Sequence, residues 1–153
     1  STDLGPSGTA EFVDVVPVNR RMTDNREALA SAIRGLQPTN GTPLYSATQA
    51  TYEDAVEAFD ADRINAVVLL SDGVNDDGDD SDDDQQLDDL LTALQSDSEG
   101  QLTQPVRVFP IAYGADSDQA TLRRIAEAST AASYDASDPT SIDKVFAAVV
   151  SNF

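Results

Sequence analysis

Apolar residues recur along this chain with two different spacings. The runs 66–70 (AVVLL) and 106–113 (VRVFPIAY) have the length and composition of buried strands. In the other segments, apolar residues return every three or four positions, which places them on one face of a helix. These sets are Leu29, Ile33 and Leu36; Leu44, Ala47, Ala55 and Phe59; Leu87, Leu90, Leu91 and Leu94; Leu122, Ile125 and Ala126; and Ile142, Val145, Phe146, Val149 and Val150. The alternation predicts an α/β fold, a three-layer sandwich whose mostly parallel sheet is flanked by helices.

Shorter signals complete the predicted order of elements. Residues 10–18 (AEFVDVVPV) alternate loosely and predict an edge strand, because Pro17 cannot donate to a strand ladder. Residues 132–135 predict a short strand. Asp24 stands three residues before Glu27, an arrangement typical of a capping box at a helix start. Pro43 suits the first turn of the second helix.

The sheet edge where strands end is the expected place for a ligand. In open α/β sheets, ligands bind beyond the carboxyl ends of the parallel strands. Ser71-Asp72-Gly73 follows the first buried run, and Tyr113-Gly114 ends the second. These two turns therefore mark the candidate binding edge.

Composition excludes several classes of function. There is no cysteine and no histidine, which removes disulfides, thiolate zinc sites, a cysteine nucleophile and the commonest general base. No phosphate loop of the G-x-x-x-x-G-K type occurs, so we do not expect an enzyme. The net charge of −19, from 28 acids and 9 bases, repels phosphate backbones and argues against nucleic acid. No apolar run approaches the roughly 20 residues of a membrane helix, so this segment is not expected to insert into a membrane.

The densest acidic segment is the run 75–84 (NDDGDDSDDD). An EF-hand loop requires a carboxylate at its first position and glycine at its sixth. Placing Gly78 at the sixth position puts Gly73 at the first, so the pattern fails. The run predicts a solvated acidic loop, with loose cation binding as the alternative.

Three stretches of the chain carry a family resemblance. Residues 40–45 (NGTPLY) precede a predicted helix, and residues 67–73 (VVLLSDG) form a buried strand that ends in an acid. Residues 108–114 (VFPIAYG) are followed by a helix containing LRRIA. In order and spacing these stretches resemble the von Willebrand factor type A domain, over nearly the whole chain. The chain is most similar to bacterial surface proteins that carry this module behind a solute-binding-like domain.

The resemblance implies a Rossmann-like fold with a metal-ion-dependent adhesion site. In the family, the ligands come from a D-x-S-x-S loop after the first strand, a threonine in a second loop and an aspartate after the fourth strand. Thr42 matches that threonine and Asp72 that aspartate. Hydroxyl and carboxylate oxygens suit Mg²⁺, with Mn²⁺ or Ca²⁺ as alternatives. Without the resemblance, Thr42 is an ordinary helix N-cap and Asp72 an ordinary turn residue.

No D-x-S-x-S occurs in the sequence. On the family pattern, residues 1–153 correspond to the C-terminal two-thirds of a single domain, N-terminally truncated before its D-x-S-x-S segment. We therefore expect weak or absent metal binding by this chain alone. In the family, the missing first strand lies beside the strand that matches 66–70. Its absence predicts an unpaired strand edge and self-association through that edge.

The resemblance implies adhesion, in which the carboxylate of a protein ligand completes the coordination of the metal. The alternatives are a structural or scaffold module and a regulatory domain of an enzyme complex, neither with metal-dependent adhesion. The resemblance also implies an extracytoplasmic or cell-surface location within a larger protein. The excess of 22 aspartates over one lysine fits an extracellular protein, a salt-adapted one or a biased genome equally well.

Overall fold

Helices and strands alternate along the chain in a computed structural model, which describes residues 22–36, 41–72, 74–100, 105–114 and 117–151. The helices are α1 (Met22–Gly35), α2 (Leu44–Glu57), α3 (Asp83–Gly100), α4 (Gln119–Ala128) and α5 (Ile142–Ser151). The strands are β1 (Ala66–Ser71), β2 (Arg107–Tyr113) and β3 (Tyr134–Ala136), and a short 3₁₀ turn, Pro139–Ser141, precedes α5.

The three strands form one parallel sheet in the order β1-β2-β3. Val68 of β1 lies opposite Phe109 of β2, and Ile111 of β2 lies opposite Tyr134 of β3. Parallel neighbours require crossover connections, and α3 and α4 supply them. The predicted α/β fold with a parallel sheet between helices is confirmed.

One face of the sheet carries the larger part of the core. Helices α2, α3 and α4 pack there against Val67, Val108 and Ala112. Their buried apolar side chains are Leu44, Tyr45, Tyr52, Leu87, Leu90, Leu94, Leu122, Ile125 and Ala128. The helical spacings in the sequence therefore identified the inward faces of α3 and α4. In α2, Leu44 is the one residue of the predicted set that is buried, and Phe59 lies beyond the end of the helix at Glu57. The buried Tyr45 and Tyr52 of α2 were not part of that set.

The other face is covered over β2 and β3 by α5. Val145 and Val149 of that helix pack with Phe109, Ile111 and Ala136. This cover does not extend fully over β1.

Val68 and Leu70, on the same sheet face, remain 42% and 51% exposed. Within the described residues, β1 also pairs with β2 alone. The run 66–70, predicted as a buried strand, is therefore covered on one face only, because α5 sits over the neighbouring strands.

Two predicted element boundaries are corrected. Helix α1 begins at Met22, so Asp24 lies inside its first turn and the capping box at Asp24 is wrong. The last strand begins at Tyr134, two residues after the predicted start. The predicted edge strand 10–18 lies outside the described residues.

None of the described helices combines the length and apolar character that a membrane crossing demands.

Candidate functional site

The candidate binding edge is built where the α2 turn meets the segment after β1. Thr42 N–H donates to the Asp76 carbonyl at 2.6 Å, and Asp76 N–H donates to the Thr42 carbonyl at 2.9 Å. This pair forms an isolated antiparallel bridge. Asp72 lies four positions before Asp76, directly after the carboxyl end of β1. The structure therefore brings the two predicted metal ligands, Thr42 and Asp72, to neighbouring segments at one edge of the sheet.

The turn that carries Thr42 depends on its glycine. Gly41 has φ +90°, a conformation that side-chain-bearing residues adopt only with strain. It places Thr42 half-buried before the helix, and Leu44 N–H donates to the Thr42 carbonyl at 2.7 Å. The N-cap of α2 is Pro43, whose side chain makes no capping hydrogen bond. The alternative in which Thr42 is the N-cap is wrong, so its hydroxyl has no capping function.

Asp72 is exposed at the same edge. Thr42 offers a hydroxyl oxygen and Asp72 a carboxylate oxygen, and both are hard ligands. This chemistry fits Mg²⁺, which prefers six oxygen ligands in octahedral geometry and keeps several waters. Thr42 and Asp72 would hold the ion from the protein side, and the ion would polarise a ligand carboxylate. Their roles as metal ligands stay a prediction.

The buried side chain of Asn75 connects the segments that form this edge. It is 6% exposed, and its Oδ1 accepts from Tyr45 N–H at 3.3 Å. Its Nδ2 donates to Asp83 Oδ1 at 2.5 Å. One amide therefore connects the first turns of α2 and α3 to the loop after β1. Sequence reasoning missed Asn75, and its only signal was a lone amide at the head of an acidic run.

The acidic loop after β1 is organised by its own side chains. Asp77 Oδ1 accepts from Asp79 N–H at 3.0 Å, and Asp79 Oδ1 accepts from Ser81 N–H at 3.1 Å. The hydrogen bond from Asp79 and one from the Gln86 side chain lower the pKa of Asp77 below its ordinary value. These hydrogen bonds therefore favour the negatively charged form of Asp77.

Three carboxylates of this loop come together. One oxygen each of Asp77, Asp82 and Asp83 lies within 4.8 Å of the other two. Gln86 Nε2 donates to Asp77 at 2.7 Å and to Asp82 at 3.0 Å. Asp82 is exposed, whereas Asp77 and Asp83 are half-buried, so the predicted solvated loop is only partly solvated. Sequence reasoning did not single out this cluster because the EF-hand pattern fails around it.

The turn after β2 places another hydrogen-bonded carboxylate, that of Asp118, at the same edge. Asp118 caps α4, accepting from the N–H groups of Ala120 and Thr121, both at 3.1 Å. Burial alone would raise the pKa of Asp118, but the hydrogen bonds from Thr121 and Ala120 lower it overall. Burial, followed by the carboxylates of Asp83 and Asp118, raises the pKa of Tyr45. The edge is thus acidic around a buried, neutral phenol.

The family model for the von Willebrand factor type A domain matches residues 8–148 of the chain. This match spans most of the sequence, and the chain belongs to the von Willebrand factor type A domain family. Curated proteins and solved structures yielded no match. Domains of this family are protein-interaction modules, and they commonly bind divalent metal ions.

Proposed function

We propose that this chain is a non-enzymatic module that binds a protein ligand through a divalent cation at the carboxyl edge of its sheet. Thr42 and Asp72 contribute two ligands to Mg²⁺, or to Mn²⁺ or Ca²⁺, and a carboxylate of the protein ligand completes the coordination. The backbone bridge between Thr42 and Asp76 carries this proposal, because it holds the threonine turn against the segment that follows Asp72. Such a site couples recognition to the charge and geometry of the ligand.

The non-enzymatic assignment rests on the residues available. The chain has no histidine or cysteine, so the usual general base and the strongest side-chain nucleophile are absent from the sequence. Asp77 and Asp118 accept hydrogen bonds that favour their ionised forms and lower their pKa values. A carboxylate with a lowered pKa is suited to holding a cation and poorly suited to donating a proton at neutral pH.

Two protein ligands give weak metal binding. Mg²⁺ requires six oxygen ligands in near-ideal octahedral geometry, and each protein ligand must replace a tightly held water. The sequence contains no D-x-S-x-S. We therefore expect no micromolar Mg²⁺ affinity in titration calorimetry of this chain, and we expect that affinity to arise when a D-x-S-x-S segment precedes it.

The decisive variants are Thr42→Ala and Asp72→Asn in the chain that carries the D-x-S-x-S segment. Thr42→Ala removes one ligand and Asp72→Asn removes the negative charge of the other, so each should weaken Mg²⁺ binding about tenfold or more. Matched controls are Thr51→Ala, an exposed threonine of α2, and Asp143→Asn, an exposed acid of α5. Asp77→Asn tests whether the Asp77, Asp82 and Asp83 cluster accounts for binding instead. Micromolar affinity in the chain alone, abolished by Thr42→Ala, would contradict the two-ligand account.

Partner binding with and without Mg²⁺ distinguishes an adhesion module from a scaffold module or a regulatory domain. An adhesion module should lose its protein ligand in EDTA and recover it with Mg²⁺. A scaffold module or a regulatory domain of an enzyme complex should hold its partner equally well in both conditions. We further propose an extracytoplasmic or cell-surface location within a larger protein, which fractionation of the producing cell tests.

A further inference from the structure

A cavity of about 220 Å³ opens at the opposite end of the sheet from Thr42 and Asp72. It lies where β1 and β2 begin, about 20 Å along the strands from the candidate metal edge. The side chains that form it are the apolar Phe59, Ala66, Pro105 and Phe109 and the basic Arg63 and Arg107. Phe109 is buried beneath this cavity, and both arginines are exposed.

The arginines are unusual in this molecule because basic residues are scarce. The whole chain has 9 basic residues against 28 acidic ones, yet two of them line this one cavity. Arg63 Nε pairs with Asp60 at 2.8 Å, which leaves its terminal nitrogens as donors. Arg107 has no ion pair with any residue that the structure describes. Guanidinium groups in this arrangement favour an anion, and carboxylates match their planar donors best.

The loop under the arginines is held in place by Asn65. Its Oδ1 accepts from Asp60 N–H at 3.0 Å, and its Nδ2 donates to the carbonyls of Asp60 at 2.8 Å and Arg63 at 2.9 Å. Across the strands, Ala66 pairs with Arg107 in the β ladder. The backbone positions of the two arginines are therefore fixed relative to each other, one by the loop that Asn65 closes and one by a strand.

The size of the cavity decides between classes of occupant. Pockets for metabolites and cofactors enclose roughly 300–1,000 Å³. This cavity is smaller, and it suits one large apolar side chain. A C-terminal residue carries such a side chain and a carboxylate on the same α-carbon. Its side chain can pack against the apolar lining of the cavity while its carboxylate pairs with the arginines.

We propose that this cavity, the arginine cavity, binds the C-terminal residue of a partner polypeptide that ends in a large apolar side chain. The side chain enters between Phe59 and Phe109, and the terminal carboxylate accepts hydrogen bonds from Arg107 and Arg63. This second protein-binding site requires no metal. It lies beyond the cation-dependent site at the opposite edge and does not depend on it.

The test is a titration of the ¹⁵N-labelled chain with a tetrapeptide Gly-Gly-Ser-Phe, acetylated at its N-terminus and free at its C-terminus. We expect amide shifts to cluster at Ile64, Asn65 and Arg107, with identical shifts in EDTA. The same peptide with a C-terminal amide, and the peptide that ends in glycine, should bind at least about threefold more weakly. Persistence in EDTA separates this site from the proposed metal edge.

Arg107→Gln should weaken binding of the free-acid peptide about three- to tenfold, since it removes an exposed charge partner of the terminal carboxylate. Arg123→Gln is the matched control, because it removes the same charge from an exposed position of α4 on the other face of the sheet. The proposal is overturned if both variants weaken peptide binding equally, or if the amidated peptide binds as well as the free acid. It is also overturned if millimolar peptide causes no amide shifts. Equal binding of an amidated peptide in which aspartate follows phenylalanine overturns the assignment to a C-terminus.

Discussion

Thr130, just after the end of α4, has a strained backbone conformation. Its φ of 55° makes it the sole non-glycine residue with positive φ in the described part of the chain. Thr130 N–H donates to the Glu127 carbonyl at 3.1 Å, and Ala131 N–H donates to the Ala126 carbonyl at 2.8 Å. This hydrogen-bond pair is the Schellman motif, in which glycine normally occupies the left-handed position. A β-branched residue there is strained, because its Cβ crowds the backbone.

Relieving that strain should stabilise the domain. Thr130→Gly removes a cost of about 1–2 kcal/mol in the left-handed conformation and adds about 0.5–1 kcal/mol of backbone entropy, so a net gain of about 0.5–1 kcal/mol is expected. Thr130→Val keeps the branched side chain and should give no gain. Urea unfolding followed by circular dichroism measures both. A glycine variant no more stable than the wild type would show that the surrounding contacts compensate for the strain.

At the scale of an element, α4 owes its start to one carboxylate. Asp118 accepts two backbone hydrogen bonds at the N-terminus of α4, where the helix dipole also favours negative charge. The pKa of Asp118 in the folded chain lies below its ordinary value of 3.8. A depressed folded pKa means that the cap stabilises the fold fully above the unfolded pKa, and that this contribution is lost as the pH falls through the folded value.

The cap should therefore give a pH-dependent difference in stability. Asp118→Ala is expected to lower the free energy of unfolding by about 1 kcal/mol at neutral pH. The difference between variant and wild type should shrink below about pH 4 and approach the value of an uncharged cap. Asp143→Ala, an exposed acid in the first turn of α5, is the matched control and should change stability less. A difference that stays constant between pH 7 and pH 3 would contradict the carboxylate account.

Strand β1 is the element whose surroundings differ most from expectation. Its apolar sequence predicts a buried strand, yet α5 leaves Val68 and Leu70 exposed. Periodicity reports which side chains are apolar, and it does not report which helix reaches them. An exposed apolar strand with one described neighbour can pair with a strand of another chain.

At the scale of the whole molecule, charge opposes that association. A net charge of −19 makes two copies repel one another, and salt screens the repulsion, since the Debye length falls from about 10 Å at 0.1 M to about 3 Å at 1 M. Sedimentation should show a larger associated fraction as salt rises. Leu70→Lys should reduce association through β1, whereas Val150→Lys, an exposed apolar position on α5, should reduce it less. A monodisperse 16.2 kDa monomer at every salt concentration would refute self-association through β1.

The sequence by itself determined the order of elements, the parallel sheet and the inward faces of α3 and α4. These follow from spacing within single segments, where apolar residues three or four apart share one helix face and short apolar runs form strands. The ends of strands could also be predicted, which placed Asp72 at the carboxyl edge. Thr42 was found through a family motif of six consecutive residues, another local signal.

Tertiary structure alone decided what these elements do together. Asn75 joins the first turns of two helices, and Arg63 and Arg107 share a cavity because the β ladder sets Ala66 beside Arg107. No spacing in the sequence encodes such contacts, since they join residues far apart in the chain. The cover over β1 likewise depends on where α5 lies across the sheet. Local patterns fix which side chains are apolar or charged, whereas packing between distant segments fixes which of them meet.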